Sequence, residues 1–463
     1  MTQTSNFPSP VLNVVILAAG QGKRMRSARP KVLHAIAGKS MLAHVLSSTA
    51  ELKPDHTCVV YGHLGDKVRE AFHGESLLWA KQEPQLGTGH AVMQAMPHLS
   101  PEGITLIVYG DVPLITAKTL SALVESARQH QLAWLTEVVD NPSGLGRIVR
   151  DVPGNVRAIV EDKDASPEQR QIREINTGFV ACPTTLLNKW LPALSNDNVQ
   201  GEFYLTDILA MAVAEHIEVK TPHPRHDWEV MGVNSRDQLA QLERTYQRQM
   251  AQHLMTEGVT LIDPARLDIR GELSCDADVS IDVNCIFEGK VHLAAGVRIG
   301  ANCILRHCTI GANTEILPFT DIDSAVIGAS ARIGPYARIR PGTTLADDVH
   351  LGNFVEVKAS QFGTGSKANH LSYIGDTTVG SNVNIGAGTI VCNYDGANKH
   401  RSVIGDNVHI GSDVQLVAPI TIGKGADIAA GTTVWKDVPP GGLTLNAKTQ
   451  VTKPDWKRPP KKQ

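Results

Sequence analysis

Three stretches of this 463-residue chain carry residue types at spacings suited to chemistry. In VVILAAGQGKRM (Val14–Met25) an apolar run ends in a glycine-rich turn with cations. Backbone N–H groups in such a turn can approach phosphates, and Arg24 and Lys31 would add positive charge. The spacing matches neither a P-loop nor a dinucleotide GxGxxG pattern, and the turn fits a plain strand-to-helix connection equally well. In ITLIVYGDVPLI (Ile104–Ile115) an apolar run ends in Gly110-Asp111. That spacing predicts Asp111 at the carboxyl edge of a parallel sheet, where open α/β folds bind ligands. A carboxylate there suits Mg²⁺, which takes one or two protein oxygens and fills its shell with phosphate and water. A turn or helix-capping aspartate would look the same. The third stretch pairs SKANHLSY (Ser366–Tyr373) with NYDGANK (Asn393–Lys399). Forming an amide from an amine and a thioester requires a base and a donor facing the developing oxyanion. His370 is the candidate base, although a lone histidine is more often a packed or surface residue. Lys367 and Tyr373 share its segment, and Asn393 and Tyr394 stand in the second. Arg340 and Lys358 could supply the cations a sugar phosphate needs, or be solvated surface charge.

The elements that must position these residues follow two grammars. Up to about Asn234, apolar runs such as Asn13–Leu17 and Ile104–Tyr109 alternate with helical segments such as Ser40–Glu51. Such alternation predicts a doubly wound α/β domain with a mostly parallel sheet. Ser235–Glu257 has no Pro or Gly, and Leu239, Leu242, Tyr246, Met250 and Leu254 recur at helical spacing, predicting a long connecting helix. From about Gly258 aliphatic residues recur every sixth position. They run Ile310, Ile316, Ile322; Ile327, Ile333, Ile339, Leu345, Leu351, Val357; Val379, Ile385, Val391; and Ile404, Ile410, Leu416, Ile422, Ile428, Val434. Neither a helix nor an ordinary strand has that period. A triangular β-helix does, because each short face points one aliphatic side chain inward. The register slips by one between Ile322 and Ile327. It lapses between Val357 and Val379 and between Val391 and Ile404, and both lapses predict loops extruded from the wall.

Its length implies two or three domains, and with 42% hydrophobic and 20% charged residues the chain has the balance of a folded protein. A net charge of -3 argues against a broad nucleic-acid or membrane surface. The seven cysteines form no CxxC pair, so they read as reduced, mostly buried thiols of a cytoplasmic protein. The N-terminus lacks the basic and apolar regions of a signal peptide.

LAAGQGKRM, then Pro30-Lys31, QLGTGHA, YGDVPL, GLGRIV, EINTG and GVNSR follow one another along the chain. Together they resemble the bifunctional bacterial N-acetylglucosamine-1-phosphate uridyltransferase/glucosamine-1-phosphate acetyltransferase family. The resemblance covers all but the first ten and last twenty or so residues. It implies an α/β fold class: a doubly wound nucleotidyltransferase domain (1–236), a linker helix (237–257) and a C-terminal left-handed parallel β-helix of hexapeptide repeats (258–463). It also implies site residues. Leu17, Ala18, Ala19, Gly20 and Lys31 would line the nucleotide site, with Arg24 as further phosphate charge. Gln82, Gly87 and Thr88 would read the uracil. Tyr109, Gly110, Gly146, Glu161 and Asn176 would hold the sugar, and Asp111 and Asn234 would bind Mg²⁺. In the second domain His370 would be the proton acceptor. Arg340, Lys358, Tyr373 and Asn384 would bind the sugar phosphate, and Ala387, Asn393, Tyr394, Ser412, Ala430 and Ala447 acetyl-CoA. Where the resemblance leads one to expect an arginine, this chain has Ala447 followed by Lys448, which lacks the guanidinium's fork.

The implied activity is synthesis of UDP-N-acetylglucosamine from glucosamine 1-phosphate, acetyl-CoA and UTP, by a homotrimer. Two other readings weigh less. The residues around His370 and Asn393 argue against nucleotidyl transfer alone, with the β-helix as a regulatory or oligomerising module. The intact LAAGQGKRM, Asp111 and Asn234 argue against a non-catalytic exchange subunit.

Overall fold

A computed structural model describes residues 11–128, 131–447 and 449–459, so Lys448 lies outside the described residues. The chain divides into two compact units between Tyr246 and Gln247, inside the long helix Arg236–Thr256.

The first unit is built on a mixed sheet. Its strands are β1 (Leu12–Leu17), β2 (His56–Tyr61), β3 (Leu78–Lys81), β4 (Ile104–Tyr109), β5 (Leu132–Val138), β6 (Arg147–Arg150), β7 (Val156–Val160), β8 (Glu174–Pro183) and β9 (Val219–Lys220). The main order is β9-β5-β8-β4-β1-β2-β3, with the β6–β7 pair attached to β8. β8 runs antiparallel to both β4 and β5, whereas β1 is parallel to β2 and β4. β1 is almost wholly apolar because both of its faces are covered. Val15 and Leu17 join a core on one side, and Val14 and Ile16 join a core on the other. Two flanking helices are α1 (Met41–Ala50), capped by the Ser40 hydroxyl, and α2 (Thr88–Ala95). α1 lends Leu42, Val45 and Leu46 to one core, and α2 lends Ala91, Val92 and Ala95 to the other. The order of connection reverses at β1 and β4, so their carboxyl ends flank a switch point.

In the second unit, successive short strands pair in parallel from Thr260–Leu261 to Leu443–Thr444. All eighteen aliphatic residues of the six-residue series point inward, none more than 4% exposed. A coil takes seventeen or eighteen residues, as Leu267 opposite Cys285 and His350 opposite Lys367 show. This is the hexapeptide-repeat parallel β-helix, consistent with the left-handed winding expected of it. The C-terminal half of the long helix closes its first coil. Ala251 and Leu254 enter the prism core, and the buried Gln247 amide pairs with both the N–H and the C=O of Ile269, at 2.8 and 2.7 Å.

One expectation is corrected. The stretch between Val357 and Val379 is not an extruded loop, because Lys367–Gly375 is a nine-residue strand in the wall. Phe362, Ala368 and Ile374 take the inward positions, and two five-residue steps hide the repeat. The second lapse is a genuine excursion. Asn384 pairs with His409, adding a turn at 393–401 that folds back through a Tyr394–Lys399 bridge.

Candidate active sites

The carboxyl ends of β1 and β4 open onto a cleft of about 320 Å³. Leu17, Ala18, Ala19, Gly20, Lys31, Gln82, Gly87, Thr88, Tyr109 and Asp111 line it. Val32, Gln85, Ala91 and Glu202 also line it, and sequence reasoning missed these four. Gln85 donates to the Ala19 carbonyl, fixing the glycine-rich turn. Its only signal in the sequence is its place at the head of QLGTGHA. The Gln82 amide donates to the Gly87 carbonyl at 2.8 Å. Gly87 sits at φ +100°, and a Cβ there would lie 2.7 Å from the Phe203 carbonyl, so glycine is required. Thr88 opens α2, and its hydroxyl accepts from Leu205 N–H at 3.2 Å.

At the mouth, the Lys31 ammonium is bonded to an Asp111 carboxylate oxygen and to Asn234 Oδ1, at 3.1 Å from the latter. Asp111 and Asn234 are held as neighbours by Val233 N–H, which donates to the Asp111 carbonyl at 2.9 Å. Two hard oxygens thus already converge on one cation. Lys31 and Asp111 are 11% and 16% exposed, so the pair is largely shielded from water.

Gly146, Glu161 and Asn176 form a second group beside the cleft. Asn176 N–H donates to the Gly146 carbonyl at 2.8 Å, and its Oδ1 accepts from the Trp134 indole at 2.6 Å and Gly178 N–H at 2.7 Å. Gly178, at φ +87°, lets the Tyr109 ring pass where a Cβ would come within 2.4 Å. Burial, with Asp111 and Glu161 nearby, holds the Tyr109 phenol protonated far above its usual range. Burial also raises the Glu161 carboxyl, and Asp164 and Asp207 add to it against a hydrogen bond from Thr206. Gly110 continues the ladder by donating to the Leu17 carbonyl at 2.9 Å. Arg24 is exposed on the single turn Lys23–Met25, whose Met25 is buried, and it is not among the residues lining the cleft.

On the prism wall, Arg340, Lys358, Asp376 and Asn393 stand one above another on consecutive coils. Arg340 pairs with Glu356 at 2.8 Å. Lys358 pairs with both oxygens of Asp376, at 3.1 and 3.0 Å. The Asn393 amide donates to Asp376 at 2.5 Å and approaches the Tyr373 hydroxyl at 3.4 Å. Beside Arg340 a polar groove of about 430 Å³ runs past Arg306, Asp321 and Arg338. His370 is exposed, with Nδ1 3.2 Å from Asn353 Oδ1. Among the described residues no hydrogen bond or ion pair joins it to the column. Asn384, opposite Lys367, contacts His409 at 3.3 Å. Tyr394 is 60% exposed at the tip of the excursion. Asp395 shapes that tip, accepting from Asn398 N–H, the His400 ring and Ala397 N–H, which hold its carboxyl far below the usual range. Ala387, Ser412 and Ala430 form a column of small residues. Asp413 N–H bonds the Ala387 carbonyl at 2.7 Å, and Gly431 N–H bonds the Ser412 carbonyl at 2.8 Å. Ala447 is exposed beyond the last strand.

Three family descriptions match the chain in order. Residues 14–200 match the MobA-like NTP transferase domain, 269–362 the GMPPB C-terminal domain, and 401–434 the bacterial transferase hexapeptide of six repeats. The bifunctional protein GlmU of Azoarcus sp. (strain BH72) is 59% identical over 97% of this chain and 100% of its own. That of Ralstonia pickettii (strain 12J) is 58% identical over 97% and 99%. Among solved structures, UDP-glucose pyrophosphorylase complexed with UDP-glucose aligns with 52% of this chain and 99% of its own at 15% identity. Its TM-score of 0.42 is too loose to bear on the sites. A nucleotidyltransferase sheet with its cleft at the switch point, followed by a hexapeptide-repeat β-helix, defines a bifunctional transferase. Full-length likeness then makes the relationship specific: the chain belongs to the family of the bifunctional protein GlmU.

Proposed function

We propose that the chain makes UDP-N-acetylglucosamine by acetylating glucosamine 1-phosphate with acetyl-CoA and then transferring a uridylyl group from UTP. The observation that carries this reading is kinship with bifunctional relatives along the entire chain, across both units. The segments 1–236, 237–257 and 258–463 would be the uridyltransferase domain, linker helix and acetyltransferase domain.

In uridylyl transfer a sugar 1-phosphate oxygen attacks the α-phosphorus of UTP and pyrophosphate leaves. The protein's part is positioning and charge neutralisation, and no covalent nucleophile is required. Leu17, Ala18, Ala19 and Gly20 would line the nucleotide and phosphate site, Lys31 and Arg24 would supply charge, and Gln82, Gly87 and Thr88 would read the uracil edge. Tyr109, Gly110, Gly146, Glu161 and Asn176 would hold the sugar. Asp111 and Asn234 are an oxygen pair fit for Mg²⁺, as their convergence on the Lys31 ammonium supports. Bound there, Mg²⁺ would neutralise phosphate charge.

In acetyl transfer His370 would take the proton of the substrate ammonium as the amine attacks the thioester carbonyl, and CoA leaves as the thiol. Arg340, Lys358, Tyr373 and Asn384 would hold the sugar phosphate. Asn393, Tyr394 and the small column Ala387, Ser412 and Ala430 would receive acetyl-CoA, with Ala447 at its far end. Three prisms about a threefold axis would enclose this exposed wall, so a homotrimer is part of the reading. The seven cysteines are free, and among the described residues no helix is long and apolar enough to cross a membrane. Free thiols support a reducing, cytoplasmic setting.

The test is an assay of purified protein with glucosamine 1-phosphate, acetyl-CoA, UTP and Mg²⁺, following CoA and pyrophosphate separately. Both should appear, with pyrophosphate release dependent on prior acetylation. Pyrophosphate without CoA would reduce the β-helix to a structural module.

A further inference from the structure

Asp376 has no role in the chemistry described so far, yet it holds a singular place in the wall. Its side chain is only 14% exposed, and Lys358 is 17% exposed. The carboxylate takes Lys358 on one side through both oxygens and Asn393 on the other. Lys358 is assigned to the sugar phosphate and Asn393 to acetyl-CoA, and this inference rests on that reading. Asp376 is the counter-charge of Lys358, as Glu356 is of Arg340. Lys399, folded back in the 393–401 excursion, faces Lys358 closely enough that Lys358 is the main cause depressing the Lys399 ammonium, and Arg340 adds to the effect. Three cations thus share one patch with two carboxylates, Glu356 on Arg340 and Asp376 on Lys358. Burial works against the Lys358 charge, and the bonds from Asp376, together with a contact to Lys399, outweigh it. A lysine on a four-carbon stem has no geometry of its own, so whatever fixes the ammonium fixes the site. The same carboxylate also orients the Asn393 amide, whose two ends cannot exchange while it donates to Asp376.

We propose that Asp376 is a positioning residue that ties the sugar-phosphate half of the acetyltransferase site to the acetyl-CoA half. It touches neither substrate. It sets the ammonium of Lys358 and the amide of Asn393 in register, so that losing it weakens both substrates at once.

The experiment is a set of double-variant cycles on the full-length enzyme, measuring KM for glucosamine 1-phosphate and for acetyl-CoA. Asp376→Ala should raise each KM by roughly tenfold, the scale of one charge-assisted hydrogen bond, with kcat changed less. In a Lys358→Ala background it should raise the KM for acetyl-CoA only. In an Asn393→Ala background it should raise the KM for glucosamine 1-phosphate only. A general loosening of the wall would instead add its full effect in both backgrounds, and that result overturns the proposal, as would a fall in either KM. If Asp376→Ala does not fold, Asp376→Asn replaces it in the same cycles. Asp376→Glu should restore part of both affinities. If Lys358→Ala and Asn393→Ala alone leave both KM values unchanged, the assignment of the site fails rather than the role of Asp376.

Discussion

At the first candidate site the side chains that meet come from places far apart in sequence, Leu17, Lys31, Gln82, Asp111 and Asn234. They meet because β1 and β4 are neighbours at a reversal of strand order. At the second, Arg340, Lys358, Asp376 and Asn393 meet because each lies one coil beyond the last. The sheet edge is concave, so its cleft has walls within one chain. The prism face is an open wall: His370 and Asn384 are exposed, and Tyr394 stands out from it. A doubly wound sheet therefore encloses its substrate by topology, whereas a solenoid lines residues up and leaves closure to a neighbour.

The largest expected effect tests whether the two sites are independent. Asp111→Ala removes one of the two oxygens that converge on the Lys31 ammonium, leaving only Asn234 Oδ1. Pyrophosphate release should fall by about 10³-fold or more, since neutralising transferred phosphate charge is worth several kcal/mol. CoA release should stay near wild type. Loss of both activities in a folded protein would break the comparison.

His370→Ala should lower kcat for acetyl transfer by roughly 10²–10⁴-fold, the usual range for a general base. Uridylyl transfer from supplied N-acetylglucosamine 1-phosphate should persist. Near-normal acetylation would return His370 to an ordinary surface histidine.

Closure by a neighbour is tested by mixing chains. A His370→Ala chain and one truncated before Ala447 should each be nearly inactive in acetylation. Co-refolded, they should regain part of the activity as mixed trimers pair an intact His370 with an intact tail. A monomer by sedimentation that acetylates at full rate would exclude a shared site.

The same contrast explains which parts of the fold are legible in the sequence. Eighteen inward aliphatics were legible because a solenoid writes its core at a fixed period. The period failed where Ala368, too small to mark a core position, and Phe362 after a five-residue step took the inward places, and so the wall strand bearing His370 was mistaken for a loop. Strand ends such as Gly110-Asp111 were legible because an apolar run stops abruptly there. Gln85 and Glu202 were not, since a polar residue in a loop gives no sign of which cleft it lines. Asp376 escaped for another reason. Its partners, Lys358 and Asn393, lie a full coil away on either side, and nothing in the sequence marks Asp376 as the residue between them.

The smallest effect concerns two carboxyls that their sites push in opposite directions. Glu161 is raised, chiefly by burial, and Asp164 and Asp207 reinforce the shift. Its native form holds a proton to higher pH than the unfolded chain does, so folded stability falls as pH rises through that interval. Asp376 is also buried, which alone would raise it, but the bonds from Lys358 and Asn393 win and it is lowered. Its contribution is present above the ordinary aspartate range and is lost as pH falls through the lowered native value. Glu161→Gln should therefore flatten the decline of stability above the ordinary glutamate range, and Asp376→Asn should flatten the loss on the acid side. Thermal melting across pH, with each variant subtracted from wild type, should give difference curves of opposite slope. Glu161 is in a unit whose cleft is complete, so its curve should not depend on protein concentration. If assembly covers the wall, the Asp376 curve should shift with concentration as trimers dissociate. Parallel slopes for the two variants would mean that neither carboxyl feels the site around it.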